Sequence, residues 1–224
     1  MNLIVFDVDG TLLNSTGVDD ECYEKALLRA HNITLDGFNW AEFTDVTDQG
    51  VTEDILNNTF GRKASTEEIW EVEKAMGELV AEEAKNSPEK FNLAPGIRNF
   101  IEIIRSKKEL GFSLATGAWE GSARAKLSYL KDILDLEKIP WQHASQIRRR
   151  ADIVRTSVEK AKTYYGVSEF DSITAFGDGK WDYLTAKELE IGFVGVNLNQ
   201  SDKLSAYSDE KVISSYFELM EIKI

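Results

Sequence analysis

The sequence predicts an α/β fold, a three-layer core around a mainly parallel sheet with a helical domain inserted near the start. Three observations predict it. Short apolar runs of strand length alternate with longer segments of helical period. That alternation stops between about residues 16 and 88, where helical patterns follow one another with no convincing strand between them. Acidic and hydroxyl side chains stand directly after the apolar runs, at the strand ends where open parallel sheets gather ligands.

Taken in order, residues 3–6 form the first apolar run and end in FDVDGTL. Further strands are expected at 112–115, 173–176 and 191–196, with a weaker one at 141–144. All are short and rich in β-branched or aromatic types, which suits strands covered on both faces. Between them, residues 97–110 place Ile97, Phe100, Ile101, Ile104 and Lys108 on one largely apolar stripe. Residues 152–165 do the same through Ile153, Val154, Val158, Ala161 and Tyr165, and Gly166 follows as a stop. The interrupting stretch predicts helices over 19–31, 52–60 and 66–85. Ser65 or Thr66 is the N-cap of the last, ahead of Glu67 and Glu68. Linkers are expected at 15–18 and 87–91, and the Pro95–Gly96 pair punctuates the return to the core. The division is a core domain of residues 1–15 and 91–224 and a helical cap domain of residues 16–90. An insert on two linkers can move as a lid.

The composition narrows the function. The 224 residues carry 26 basic and 39 acidic side chains, a formal charge of −13. Such a surface repels nucleic-acid backbones and anionic membranes, so neither is an expected partner. Small phosphorylated ligands stay open, because a metal ion or a few local cations can reverse the field inside a cleft. One cysteine, Cys22, permits no internal disulfide, and the apolar run at 3–6 meets Asp7 too soon for a secretory signal. A cytoplasmic location is the expectation. The two histidines, His31 and His143, are not spaced as a zinc site or a triad.

Chemistry concentrates at three strand ends. Asp7 and Asp9 are two apart, so on an extended backbone both side chains leave on one side, and Gly10 permits a sharp turn after them. Like charges so close call for a cation or a shared proton. Thr116 and Gly117 follow the second core strand, where a hydroxyl and backbone N–H groups can hold an anion; a Thr-Gly turn is also common structurally. In GDGKWD, Asp178 falls at a strand tip beside Asp7, and hard oxygen ligands of this kind suit Mg²⁺. Asp182 reads equally as a ligand or as a helix cap. The run Arg148–Arg150 offers a cation to balance the aspartates and clamp a phosphoryl group, with Lys160 a further candidate. Trp119 and Trp181 either wall the cleft or pack in the core. Gly50, in TDVTDQGVTEDIL, is expected to break the helical pattern and form a loop facing the cleft.

FDVDGT, LATG and GDGKWD, in this order and spanning the core, resemble the first, second and fourth motifs of the haloacid dehalogenase-like (HAD) hydrolase superfamily, phosphatase branch, with a helical cap of the C1 type. The resemblance implies a Rossmann-like core. It implies that Asp7 is the nucleophile that forms an aspartyl-phosphate, with Asp9 as acid and then base. It implies Mg²⁺ held by the Asp7 carboxylate, the Asp9 carbonyl and Asp178, with Thr116, Gly117 and Arg150 on the phosphoryl group and Asp182 in support. The third motif departs from the family: RRRADIV replaces the Lys-Pro start of many relatives, so Arg148 and Arg149 remain alternatives to Arg150. Dehalogenases of the superfamily lack an acid at the position of Asp9. Its presence here implies phosphate monoester chemistry on a small phosphorylated substrate. Phosphatase is the first expectation, phosphomutase the second, and a non-catalytic metal- or phosphate-binding protein the third.

Overall fold

The central strand β1 (Asn2–Phe6) pairs in parallel with β4 (Leu110–Ala115) on one side and with β6 (Ser172–Gly177) on the other. Beyond β4 lies β5 (Trp141–Gln142); beyond β6 lie β7 (Gly192–Val196) and β8 (Lys211–Ile213). The resulting order is β5-β4-β1-β6-β7-β8, with every pairing parallel. This computed structural model describes residues 1–35, 39–198 and 211–220. Helices α6 (Arg150–Tyr165) and α7 (Lys180–Glu188) cover one face of the sheet. Helices α4 (Ile97–Ser106) and α8 (Phe217–Met220) cover the other, completing three layers. Among the described residues no helix is long and apolar enough to cross a membrane.

The fully buried Phe6 anchors the α4 face. Its ring lies 6.3 Å from Phe100 of α4, 6.3 Å from Phe112, 5.2 Å from Phe176 and 6.1 Å from Tyr216. Edge and tilted contacts of this kind add to the area that the rings bury. The cluster locks the last residue of β1 between β4 and β6, and the chain enters the site at the next residue, Asp7.

The helical insert leaves and rejoins the core through a two-stranded antiparallel stem, β2 (Leu13–Asn14) against β3 (Asn92–Leu93). Between them run α1 (Thr16–His31), α2 (Asp48–Phe60) and α3 (Thr66–Asn86). Ser65 caps α3. Its hydroxyl accepts from the Glu68 N–H at 3.2 Å, and the Glu68 carboxylate accepts from the Ser65 N–H at 2.7 Å. Helix α3 packs on α1 and also on α5 (Glu120–Leu127) of the core. At that crossing a Cβ on Gly77 would stand 3.4 Å from the Gly121 Cα, so the two backbones meet closely.

Several expectations shift. Residues 15–18 are not a free linker: α1 begins at Thr16, and the stem strands do the joining. Helix α4 stops at Ser106, before Lys108, because the chain must turn to enter β4 at Leu110. Gly50 does not break a helix but lies buried in the first turn of α2. The Thr47 hydroxyl caps that turn by accepting the Gly50 N–H at 2.9 Å. Strand β8, with only Ile213 buried, has too short an apolar signature to read in advance.

Replacing Phe100 with alanine would leave a void in the aromatic cluster. The expected loss is about 3–5 kcal/mol of stability. Urea unfolding checks it: the midpoint falls while the slope stays close to that of the parent.

Candidate active site

The register of the three central strands brings the sequence's candidate residues together. Phe6 is level with Leu114 and with Phe176, so β1, β4 and β6 end side by side, and Asp7, Thr116 and Asp178 follow at neighbouring tips. Asp7 stays in the ladder through its N–H, which donates to the Phe176 carbonyl at 2.9 Å. Gly10 turns the chain with φ of 75°. A Cβ there would come within 2.3 Å of the Asp178 carboxylate, so both conformation and space demand glycine. Asp7, Asp9, Thr116, Gly117, Arg150 and Asp178 all line one cavity of about 190 Å³ between the sheet edge and the insert.

Arg150, the first residue of α6, is the cation of this cluster. Its Nη2 donates to Asp7 Oδ1 at 2.9 Å, its Nε to Asp182 Oδ1 at 2.7 Å, and its Nη1 to the Val46 carbonyl of the insert at 3.0 Å. The other two arginines of the run are engaged elsewhere. Arg148 binds Asp45, Glu53 and Asp54 of the insert, and Arg149 binds Glu188. Lys160 donates to the Trp141 carbonyl and to Gln142 Oε1, at 3.0 and 2.8 Å. Asp182 takes the cap role: it accepts the Gly179 N–H at 3.0 Å at the start of α7, and its other carboxylate oxygen accepts the Arg150 Nε. At Gly117 a Cβ would stand 2.3 Å from Arg150 Nη1, so glycine makes room for the guanidinium. The Thr116 hydroxyl accepts the Ala118 N–H at 3.1 Å and shapes the same turn.

Asp7, Asp178 and Asp182 each offer a carboxylate oxygen, and these atoms lie within 4.8 Å of one another. Burial, then the charge of Asp182, push the Asp7 carboxyl well above the ordinary carboxylate range against the pull of Arg150. A donor set of hard oxygens, crowded and short of positive charge, fits a divalent cation such as Mg²⁺. All three carboxylates offer it an oxygen, and Asp7 and Asp178 line the cavity itself.

Asp9 faces a second cation, one that the sequence reading missed. The Lys126 ammonium of α5 is fully buried and lies 2.7 Å from Asp9 and 2.9 Å from Asp19 of α1; the Ser15 hydroxyl donates to the other Asp9 oxygen. Burial alone would raise Asp9, but the charge and hydrogen bond of Lys126 override it and hold the carboxyl below its ordinary value. Asp48, at the start of α2, accepts the Trp119 N–H at 2.9 Å; burial raises its pKa to about 6. A signal for Lys126 did exist. It shares the buried face of α5 with Ser122, Ala123 and Leu127, a helical spacing on which an unpaired lysine would be costly.

The tryptophans divide. Trp119 is a core residue, 1% exposed, with its Nε1 donating to Gln49, whereas Trp181 lines the cavity together with Trp40. The stretch around Gly50 reaches the cavity as well, through Val46, Thr47 and Asp48.

The family model described as haloacid dehalogenase-like hydrolase matches residues 1–189. No curated protein matches the chain. Among solved structures, a hydrolase from Pseudomonas syringae is similar at 20% identity with a TM-score of 0.72, over 98% of this chain and 96% of that one. A putative beta-phosphoglucomutase from Bacteroides vulgatus is similar at 16% identity and a TM-score of 0.70, over 99% and 89%. A predicted phosphoglycolate phosphatase from Haemophilus somnus is similar at 15% identity and a TM-score of 0.59, over 98% and 97%. At these identities the structural likeness shows a shared fold. With the family match across most of its length and the family's motifs at the sheet edge, the chain belongs to the haloacid dehalogenase-like hydrolases.

Proposed function

We propose that the protein is a Mg²⁺-dependent phosphate monoester hydrolase that works through an aspartyl-phosphate on a small phosphorylated metabolite. The observation that carries this reading is the meeting of Asp7, Asp9, Thr116, Arg150 and Asp178 around one small cavity. An Asp7 oxygen attacks phosphorus as the bond to the ester oxygen breaks, and Asp9 gives that oxygen its proton. A water then attacks the phosphoryl group, Asp9 takes the water's proton, and the Asp7–phosphorus bond breaks to free phosphate. Bound Mg²⁺ supplies positive charge that lets a carboxylate approach a phosphate dianion. Thr116 and the Gly117 N–H hold phosphoryl oxygens, and Arg150 fixes Asp7 while adding charge.

The Asp9–Lys126 contact bears on the two halves differently. The ion pair favours ionised Asp9, the form that deprotonates water. For the first half, Asp9 takes up a proton and turns from Lys126 to the leaving oxygen. The helical insert of residues 16–90 acts as the cap that closes the cavity. Asp48 donates its N–H to the Gly117 carbonyl at 2.8 Å, and the Thr47 hydroxyl donates to the Arg148 carbonyl at 2.7 Å, so the insert is docked over the second motif.

A phosphomutase would use the same aspartates and return the phosphoryl group to a second hydroxyl. The likeness to the putative beta-phosphoglucomutase favours keeping it as the rival. Products separate the two: incubation with Mg²⁺ and phosphomonoesters is expected to release inorganic phosphate, and isomerised ester without phosphate release would establish the mutase.

Asp7→Asn is expected to cut turnover by at least about a thousandfold while the protein still melts cooperatively. Acid-quenched labelling with a radioactive ester should trap a phosphoprotein in the parent and none in this variant. Chelation with EDTA should abolish phosphate release and added Mg²⁺ should restore it, followed with a phosphate-detection dye. Arg150→Met, which removes the bonds to Asp7 and Asp182, is expected to lower kcat/KM by about a hundredfold; steady-state kinetics check it.

A further inference from the structure

We infer that the alcohol half of the substrate carries an ammonium group on a short chain, recognised at the insert side of the cavity by Asp48 and Trp40. This rests on the phosphatase reading and names the substrate class of the same site.

Charge is the first argument. Six aspartates line the cavity, against one cation among the described lining residues, Arg150. Arg150 is committed to Asp7 and Asp182, and Lys126 lies behind the wall, fully buried and bound by Asp9 and Asp19. The Asp7–Asp178 end takes the metal and the phosphoryl group. What remains, Asp19, Asp20 and Asp48 with Lys126 beneath them, is lined by three carboxyl groups and, among the described residues, by no cation facing in for a carboxylate or a second phosphate.

Asp48 itself is the second argument. It is 7% exposed and lines the cavity. One of its carboxylate oxygens accepts the Trp119 N–H; the other meets no hydrogen-bond donor among the described residues. No fully enclosed side-chain oxygen or nitrogen among them lacks a partner, so this oxygen opens onto the cavity. A donor on a ligand in the cavity can reach that oxygen, and a charged donor would meet it best.

The third argument is the wall beside it. Trp40 lines the cavity, held by Tyr23, whose ring centroid lies 4.8 Å away, and by its Nε1, which donates to Asp20 at 2.6 Å. Indole next to carboxylates is the combination that receives an ammonium, through ring-face attraction and charge-assisted hydrogen bonds together. A neutral hydroxyl would satisfy the Asp48 oxygen but leave the charge unbalanced. At about 190 Å³ the cavity is smaller than the pockets that take drug-sized ligands, which suits a short ester.

The test compares three phosphomonoesters of matched length in the presence of Mg²⁺: O-phosphoethanolamine, 2-hydroxyethyl phosphate and 2-phosphoglycolate, with p-nitrophenyl phosphate as a general reporter. The expected order of kcat/KM places the ammonium ester at least about tenfold above the neutral one, and the carboxylate ester last. Asp48→Asn keeps an acceptor for Trp119 and is expected to bring the ammonium-to-neutral ratio down towards one. Trp40→Leu is expected to lower the same ratio without touching the aspartates, and serves if the first variant fails to fold. Turnover of p-nitrophenyl phosphate or of any of the three without preference for the ammonium ester overturns the inference and leaves the phosphatase reading standing. A preference that survives in a folded Asp48→Asn and in Trp40→Leu overturns it as well. Absence of phosphate release from all four esters overturns both readings.

Discussion

The guanidinium of Arg150 lies between Asp7 and Asp182, and the arrangement of the sheet edge follows from that buried contact. Two carboxylates this close, both nearly excluded from solvent, repel one another and lose hydration. A planar donor fork reaches both at once and still has an arm for the Val46 carbonyl. One side chain therefore ties the end of β1, the start of α7 and the insert into a single geometry. The space it needs is reserved by Gly117, and the space for Asp178 by Gly10.

A second buried cation, Lys126, plays a comparable part at Asp9. Lys126 joins Asp9 of the core to Asp19 of the insert, so the aspartate proposed as acid and base is held by a contact that also fastens α1. Together with the close crossing of α3 and α5 at Gly77 and Gly121, this makes the insert a docked part of the cavity wall. Opening it would separate charges as well as apolar surface, since Arg148 also bridges to Asp45, Glu53 and Asp54.

Legibility in the sequence followed the range of the interactions. The strand ending at Phe6, the acids two apart after it and the Gly-Asp-Gly turn could be read directly, because strand alternation and turn chemistry act over a few residues. Asp182 was ambiguous between cap and metal ligand because either use places a carboxylate at the start of α7, and its pairing with Arg150 was visible only in the fold. The choice among Arg148, Arg149 and Arg150 had no local answer: three identical side chains in a row differ only in what faces them. Lys126 escaped notice because its helical spacing with Ser122, Ala123 and Leu127 hints at burial but does not name the acids opposite it.

The alternation of the main core strands and helices, the inserted helical stretch and the set of acids at the strand tips were determined by the sequence alone, through local periodicity and backbone preference, whereas the short stem strands and β8 were not. Which cation meets which acid was decided only in three dimensions. Arg150 and Asp7 are 143 positions apart, and Lys126 and Asp9 are 117 apart. Partners so distant along the chain meet only once the packed sheet and the docked insert have carried them to the same few ångströms.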